Sequence, residues 1–165
     1  MKVYLKTLDI VYKFLMYTVA IALTVMICVS FTEVIRRYIF SKSYPWADDL
    51  IRYMIIYVGF AGGAAAFRNK ALVGLDLFTG FLSKKVQVIV ELICNTIILF
   101  FLIFLLKYSI DSVQSPSIQL QKGIGLKISM AIPFMALPIG FACMIVFCID
   151  NYRLLYRRLK GETEQ

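Results

Sequence analysis

Residues 14–32 read FLMYTVAIALTVMICVSFT, 19 positions without one charged side chain. A helix rises ~1.5 Å per residue, so about 20 apolar residues cross the ~30 Å hydrocarbon layer of a bilayer, and this stretch is long enough to do so. Three stretches of similar length follow: Trp46–Phe67, charged only in its first turns, then Val86–Leu106 and Ile128–Ile149. The spans are expected at residues 12–34, 46–67, 86–107 and 128–150. The chain has 165 residues, of which 61% are hydrophobic. A soluble body of that size leaves too much of its surface exposed to hide such a composition. The fold class read from these features is an all-α membrane protein, a single integral domain over residues 1–165, with no room for a separate catalytic domain.

The net charge is +8. The basic residues sit at the ends of the apolar stretches and leave no polar domain to carry a nucleic-acid face, so they report orientation and contact with the lipid bilayer. With a cytoplasmic N-terminus, the inner segments hold Lys2, Lys6, Lys13, Arg68, Lys70, Lys84, Lys85, Arg153, Arg157, Arg158 and Lys160. The outer ones hold Arg36, Arg37, Lys42, Arg52, Lys107, Lys122 and Lys127. Eleven against seven places both termini inside. The first stretch outlasts a typical signal-peptide core and no small-x-small cleavage site follows it, so it reads as a retained anchor.

Charged and small residues then mark candidate sites. Glu33 precedes Arg36 and Arg37 by three and four positions, so carboxylate and guanidinium share a helix face at the outer membrane edge, as a local ion pair or a docking surface. In the next turn Ser43 is an N-cap candidate, Pro45 suits a first helical turn, and Asp48 and Asp49 favour its positive end. Gly59 and Gly63 form G-x-x-x-G, a smooth stripe on which another helix, of this chain or a partner, can approach closely. Over residues 72–83, Asp76, Thr79, Gly80 and Ser83 fall on one face, opposite Leu75, Leu77, Phe78, Phe81 and Leu82, which predicts a short amphipathic helix in the inner interface. Glu91 lies about 9 Å along the third span from Lys85, nearer the inner boundary than the midplane, where a charge costs less. Pro138 withholds an N–H from the carbonyl four residues back and predicts a kink in the last span.

Several chemistries are excluded. No histidine is present to ligate haem or zinc. Cys28, Cys94, Cys143 and Cys148 lie singly in apolar stretches and read as buried small hydrophobes. Neither a phosphate-binding loop nor a nucleophile with an adjacent base occurs.

The order of motifs resembles a known family. It runs E-V-I-R-R-Y-I-F from Glu33, P-W-A-D-D-L-I-R-Y from Pro45, G-F-A-G-G-A-A-A-F-R from Gly59 to Arg68, L-V-G-L-D-L from Leu72 and A-L-P-I-G-F from Ala136. Together these resemble the small, DctQ-like membrane subunit of tripartite ATP-independent periplasmic (TRAP) transporters over nearly the whole chain. The resemblance implies a bacterial inner-membrane protein that is not an enzyme and holds no cofactor. Its implied partners are a large TRAP membrane subunit, which would hold the sodium sites, and a periplasmic substrate-binding protein. The substrate implied is an organic acid of sialic acid or C4-dicarboxylate type. Glu33, Arg36 and Arg37 match one rim motif and Asp48, Asp49 and Arg52 another, which the resemblance makes a periplasmic partner-binding rim. Asp76 matches the acidic residue of a stretch whose usual histidine is Leu72 here. Two rival readings are a self-sufficient proton-coupled exporter using Glu91 and Glu33, and a structural tetraspan protein.

Overall fold

The computed structural model describes residues 2–68 and 84–159, with side chains over 6–68 and 86–155. The predicted interfacial helix at 72–83, with Asp76 and Leu72, lies outside the described residues. Six helices are described: α1 (Lys2–Phe40), α2 (Pro45–Arg68), α3 (Lys84–Gln114), the short α4 (Pro116–Leu120) and α5 (Ala131–Phe134), and α6 (Ala136–Leu159). Four helical segments are long and apolar enough to cross a membrane: Lys6–Phe40, Pro45–Arg68, Val86–Gln114 and Ala131–Leu155. The protein is therefore an all-α, multi-pass membrane protein.

Two helices outlast their expected spans. α1 has 39 residues, about 58 Å at ~1.5 Å each, and so exceeds the hydrocarbon thickness nearly twofold. The added length comes from the mixed leader and from Glu33 to Phe40, whose charged and aromatic residues suit a headgroup region better than lipid. α3 runs on past Lys107 to Gln114 for the same reason. Within the apolar parts, Thr18, Thr24, Thr32 and Thr96 each donate a hydroxyl to the carbonyl four residues back at 2.8–2.9 Å, which satisfies the side chain without water. The last span divides at Met135 into α5 and α6. The carbonyl of Phe134 is the one whose helical donor would be the N–H that Pro138 lacks.

The long helices are neighbours in the order α1, α2, α6, α3, with α1 and α3 at the edges. A core cluster of Leu8, Leu15, Ala64 and Phe147 joins α1, α2 and α6 toward the N-terminal end of α1. Where α2 crosses α6, Phe60 meets Phe141 edge-on with ring centroids 5.3 Å apart. Both edge helices carry long apolar faces turned outward, including Phe14, Tyr17, Ile21 and Phe31 on α1 and Ile93, Ile97, Phe100 and Phe101 on α3.

Candidate functional site

The rim at the C-terminal end of α1 is built by the α1–α2 turn. Ser41 takes a left-handed φ of 49°, which stops α1 and turns the chain back. Glu33 is buried beneath this turn, and its carboxylate accepts the Tyr44 backbone N–H at 3.1 and 3.3 Å and pairs with Arg37 at 3.5 Å. The Tyr44 carbonyl in turn accepts the N–H of Ala47 at 3.0 Å. The expected cap at Ser43 is thus corrected. α2 begins one residue later at Pro45, as that residue's fixed φ favours, and a carboxylate eleven residues upstream takes the orphan N–H of Tyr44. Arg36 lays its guanidinium over the Tyr44 ring, 3.7 Å from the centroid, and meets the tyrosine hydroxyl. The i, i+4 ion pair expected from sequence is therefore present, and it also fastens the turn.

Asp49 is buried as well, and its role is to hold the loop that leads into α5. Its Oδ2 accepts the N–H groups of Gly125 at 2.8 Å and Leu126 at 3.3 Å. The loop is a tight hairpin, closed by Gly123 N–H to the Ile128 carbonyl and Met130 N–H to the Gln121 carbonyl, with Lys127 at a φ of 52°. Gly125 is obligatory here because an added Cβ would fall 2.0 Å from the Pro45 carbonyl oxygen. At the tip Ile124 is 94% exposed. The remaining rim residues, Arg37, Asp48 and Arg52, face outward. The six rim positions thus divide: Glu33, Arg36 and Asp49 are spent on local structure, Arg37 is shared between Glu33 and the surroundings, and Asp48 and Arg52 offer charge outward.

A second polar centre, not expected from the sequence, joins α3 to α6 inside the apolar layer. Asn95, 3% exposed, donates its amide to the Cys148 carbonyl at 3.2 Å. Its Oδ1 accepts from Asn151 Nδ2 at 3.1 Å and from Cys148 Sγ at 3.3 Å. Tyr152 donates to Thr96 Oγ1 at 2.6 Å one step away. The signal available in the sequence is one asparagine in the apolar stretch of α3, a polar side chain that must find a partner where there is no water. Where the N-terminal end of α1 meets the C-terminal end of α2, Arg68 pairs with Asp9, donates to the Leu8 carbonyl and lies 5.2 Å from the Tyr12 ring. No group of three or more potential metal ligands occurs among the described residues.

A family model described as "Tripartite ATP-independent periplasmic transporters, DctQ component" matches residues 26–158. The chain belongs to this family. The match covers most of the chain, from the C-terminal part of α1 through α6, and includes both polar centres. No curated protein matches the chain. The DctQ family is a transporter component, the small component of TRAP systems, which agrees with the four spans seen here.

The DctQ small-residue stripe divides as the rim does. A Cβ on Gly63 would lie 3.0 Å from Met144 Cε on α6, whereas Gly59 and Gly62 have nothing within 4 Å. A tighter contact between the two helices falls at Gly140 of α6, whose added Cβ would sit 2.7 Å from the Phe60 Cβ. Glu91 is half-buried and already engaged in an interaction. Of the cysteines only Cys148 is fully buried, while Cys28 is exposed on α1, so the expectation of four buried thiols is corrected. Lipid-facing positions tolerate cysteine as readily as the interior does, since both are apolar.

Proposed function

We propose that this chain is a non-catalytic small membrane subunit that packs on a large TRAP membrane subunit and supports sodium-coupled uptake of an organic acid delivered by a periplasmic binding protein. The substrate would be of sialic acid or C4-dicarboxylate type, with sodium held in the large subunit and no cofactor in this one. The protein would lie in the bacterial inner membrane with both termini cytoplasmic. The observation that carries the reading is the family match over residues 26–158. The open order of helices supports it, because apolar faces on the edge helices α1 and α3 suit a body seated on something larger. The exporter alternative fares worse. Glu33 is spent on Tyr44 and Arg37 at the outer end of α1, Glu91 lies two turns into α3 from the inner side, and each is engaged where it stands.

Reconstitution tests this directly. The purified chain alone in proteoliposomes should give no sodium-driven uptake of sialic acid or succinate, while co-reconstitution with a TRAP large subunit and binding protein from the same organism should give uptake. Robust transport by the single chain would overturn the accessory role.

A further inference from the structure

Alongside the Glu33 carboxylate, the seam between α1 and α2 opens as a cleft of about 270 Å³, lined by Ser30, Val34, Arg37 and Tyr38 of α1 and Asp48 and Ile51 of α2. Its charges are arranged by height. Arg37 and Asp48 occupy the rim, near the end of one helix and the start of the next. Ser30, Val34 and Ile51 lie deeper. One turn further in, the same two faces carry Ile27 and Ile55, 64% and 54% exposed, by the i, i+3/i+4, i+7 relation to Ser30 and Val34 and to Asp48 and Ile51. The groove therefore passes from a cation and an anion at the headgroup level to bare aliphatic surface within the hydrocarbon layer.

Both rim charges have capacity to spare. The Arg37 side chain is 57% exposed and meets Glu33 through one nitrogen at 3.5 Å, which leaves most of its five N–H donors free for a tetrahedral anion. Asp48 is exposed, and its carboxylate takes part in no ion pair or hydrogen bond among the described residues. A ligand that satisfies both needs a phosphate and a primary ammonium a few bonds apart, and the aliphatic groove below asks that acyl chains follow. A free anion meets only the first requirement, and a phosphodiester lipid with an uncharged or quaternary headgroup only the first and third.

We propose that this cleft binds an aminophospholipid of the outer leaflet, with its phosphate on Arg37, its ammonium on Asp48 and an acyl chain along Ile51, Ile27 and Ile55. The recognition is independent of transport and would hold for the chain alone. Binding fills this open volume of the α1–α2 seam and fixes the height of the rim in the membrane.

The test is retention of lipid by the full-length chain, purified in mild detergent, exposed to an equimolar mixture of phosphatidylethanolamine and phosphatidylcholine with identical chains, and read by native mass spectrometry. Wild type should retain phosphatidylethanolamine over phosphatidylcholine by about fivefold, the upper end of what an exposed ion pair supplies. Asp48→Asn should bring the ratio near one while total bound lipid is kept, and Arg37→Gln should reduce both lipids together. Asp48 is exposed and pairs with nothing among the described residues, so Asp48→Asn should keep the wild-type melting temperature, whereas Arg37→Gln also gives up the ion pair with Glu33 and should melt slightly lower. Equal retention by wild type, or an unchanged ratio in Asp48→Asn, overturns the proposal. A photo-crosslinker at Ile51 in native membranes gives an independent reading: a phospholipid adduct supports the assignment, and a protein adduct in its place refutes it by showing that a partner fills the cleft.

Discussion

Replacing Asn95 by leucine should loosen α3 from α6. Asn95 makes two hydrogen bonds with nitrogen donors across this interface, at 3.2 and 3.1 Å, and a weaker one from Cys148 Sγ at 3.3 Å. Interhelical hydrogen bonds in bilayers contribute ~0.6 kcal/mol on average and up to ~1.7, so the loss of two should cost about 1–3 kcal/mol. Leucine is close to asparagine in length and insertion favours it, so little of the effect should come from a cavity or from failure to enter the membrane. The replacement also strands Asn151, whose Oδ1 already has no partner. Adding Asn151→Leu should therefore recover part of the loss, with a coupling of about 0.6–1.7 kcal/mol in a double-mutant cycle. The measurement is reversible unfolding of the purified chain in mixed micelles titrated with dodecyl sulfate and followed by circular dichroism. Since α6 is the one long helix against which α3 packs extensively, the edge helix should be the first element lost. An Asn95→Leu chain as stable as wild type, or two substitutions that simply add to within ~0.3 kcal/mol, would refute the claim that this network holds the interface.

Other expectations follow from the rim and the crossings. Asp49→Ala removes the acceptor of two loop N–H groups and should destabilise the hairpin by about 1.5–3 kcal/mol, the range for a hydrogen bond to a charged group. Amide exchange at Gly125 reports it, and unchanged protection there would show that Asp49 does not hold the loop. Gly140→Val should cost the isolated chain about 1–3 kcal/mol, because the new Cβ meets the Phe60 Cβ at 2.7 Å. Gly59→Leu, facing open space, should leave the same melting curve within about 0.5 kcal/mol and lower co-purification with the large subunit; full retention of the partner would remove Gly59 from the subunit interface. For orientation, Ser117→Cys should react with an impermeant maleimide in intact cells and Lys6→Cys only after permeabilisation, and the opposite pattern would invert the topology.

Local chemistry made the spans and the turn legible in the sequence. Whether some 20 residues enter a bilayer depends on their own transfer free energy, so the stretch from Phe14 to Thr32 needed no knowledge of its neighbours. The start of α2 at Pro45 and the break before Pro138 are likewise one-residue effects of a fixed φ and a missing N–H. What surrounds those spans was not legible in the same way. In water an amphipathic pattern reveals which face of a helix is inside, but lipid is as apolar as the protein interior, so Gly59 and Gly63 look alike in sequence although only Gly63 meets α6. The rim charges were found by type, yet Glu33 and Asp49 take their partners from Tyr44 and from Gly125 and Leu126. The second of these contacts crosses 76 positions. Asn95 finds Cys148 and Asn151 only because α3 and α6 lie side by side. Membrane insertion is a property of each segment, and the sequence by itself determined it; which polar groups are spent on the fold and which remain for a ligand is a property of pairs of helices, and only the tertiary structure decided that.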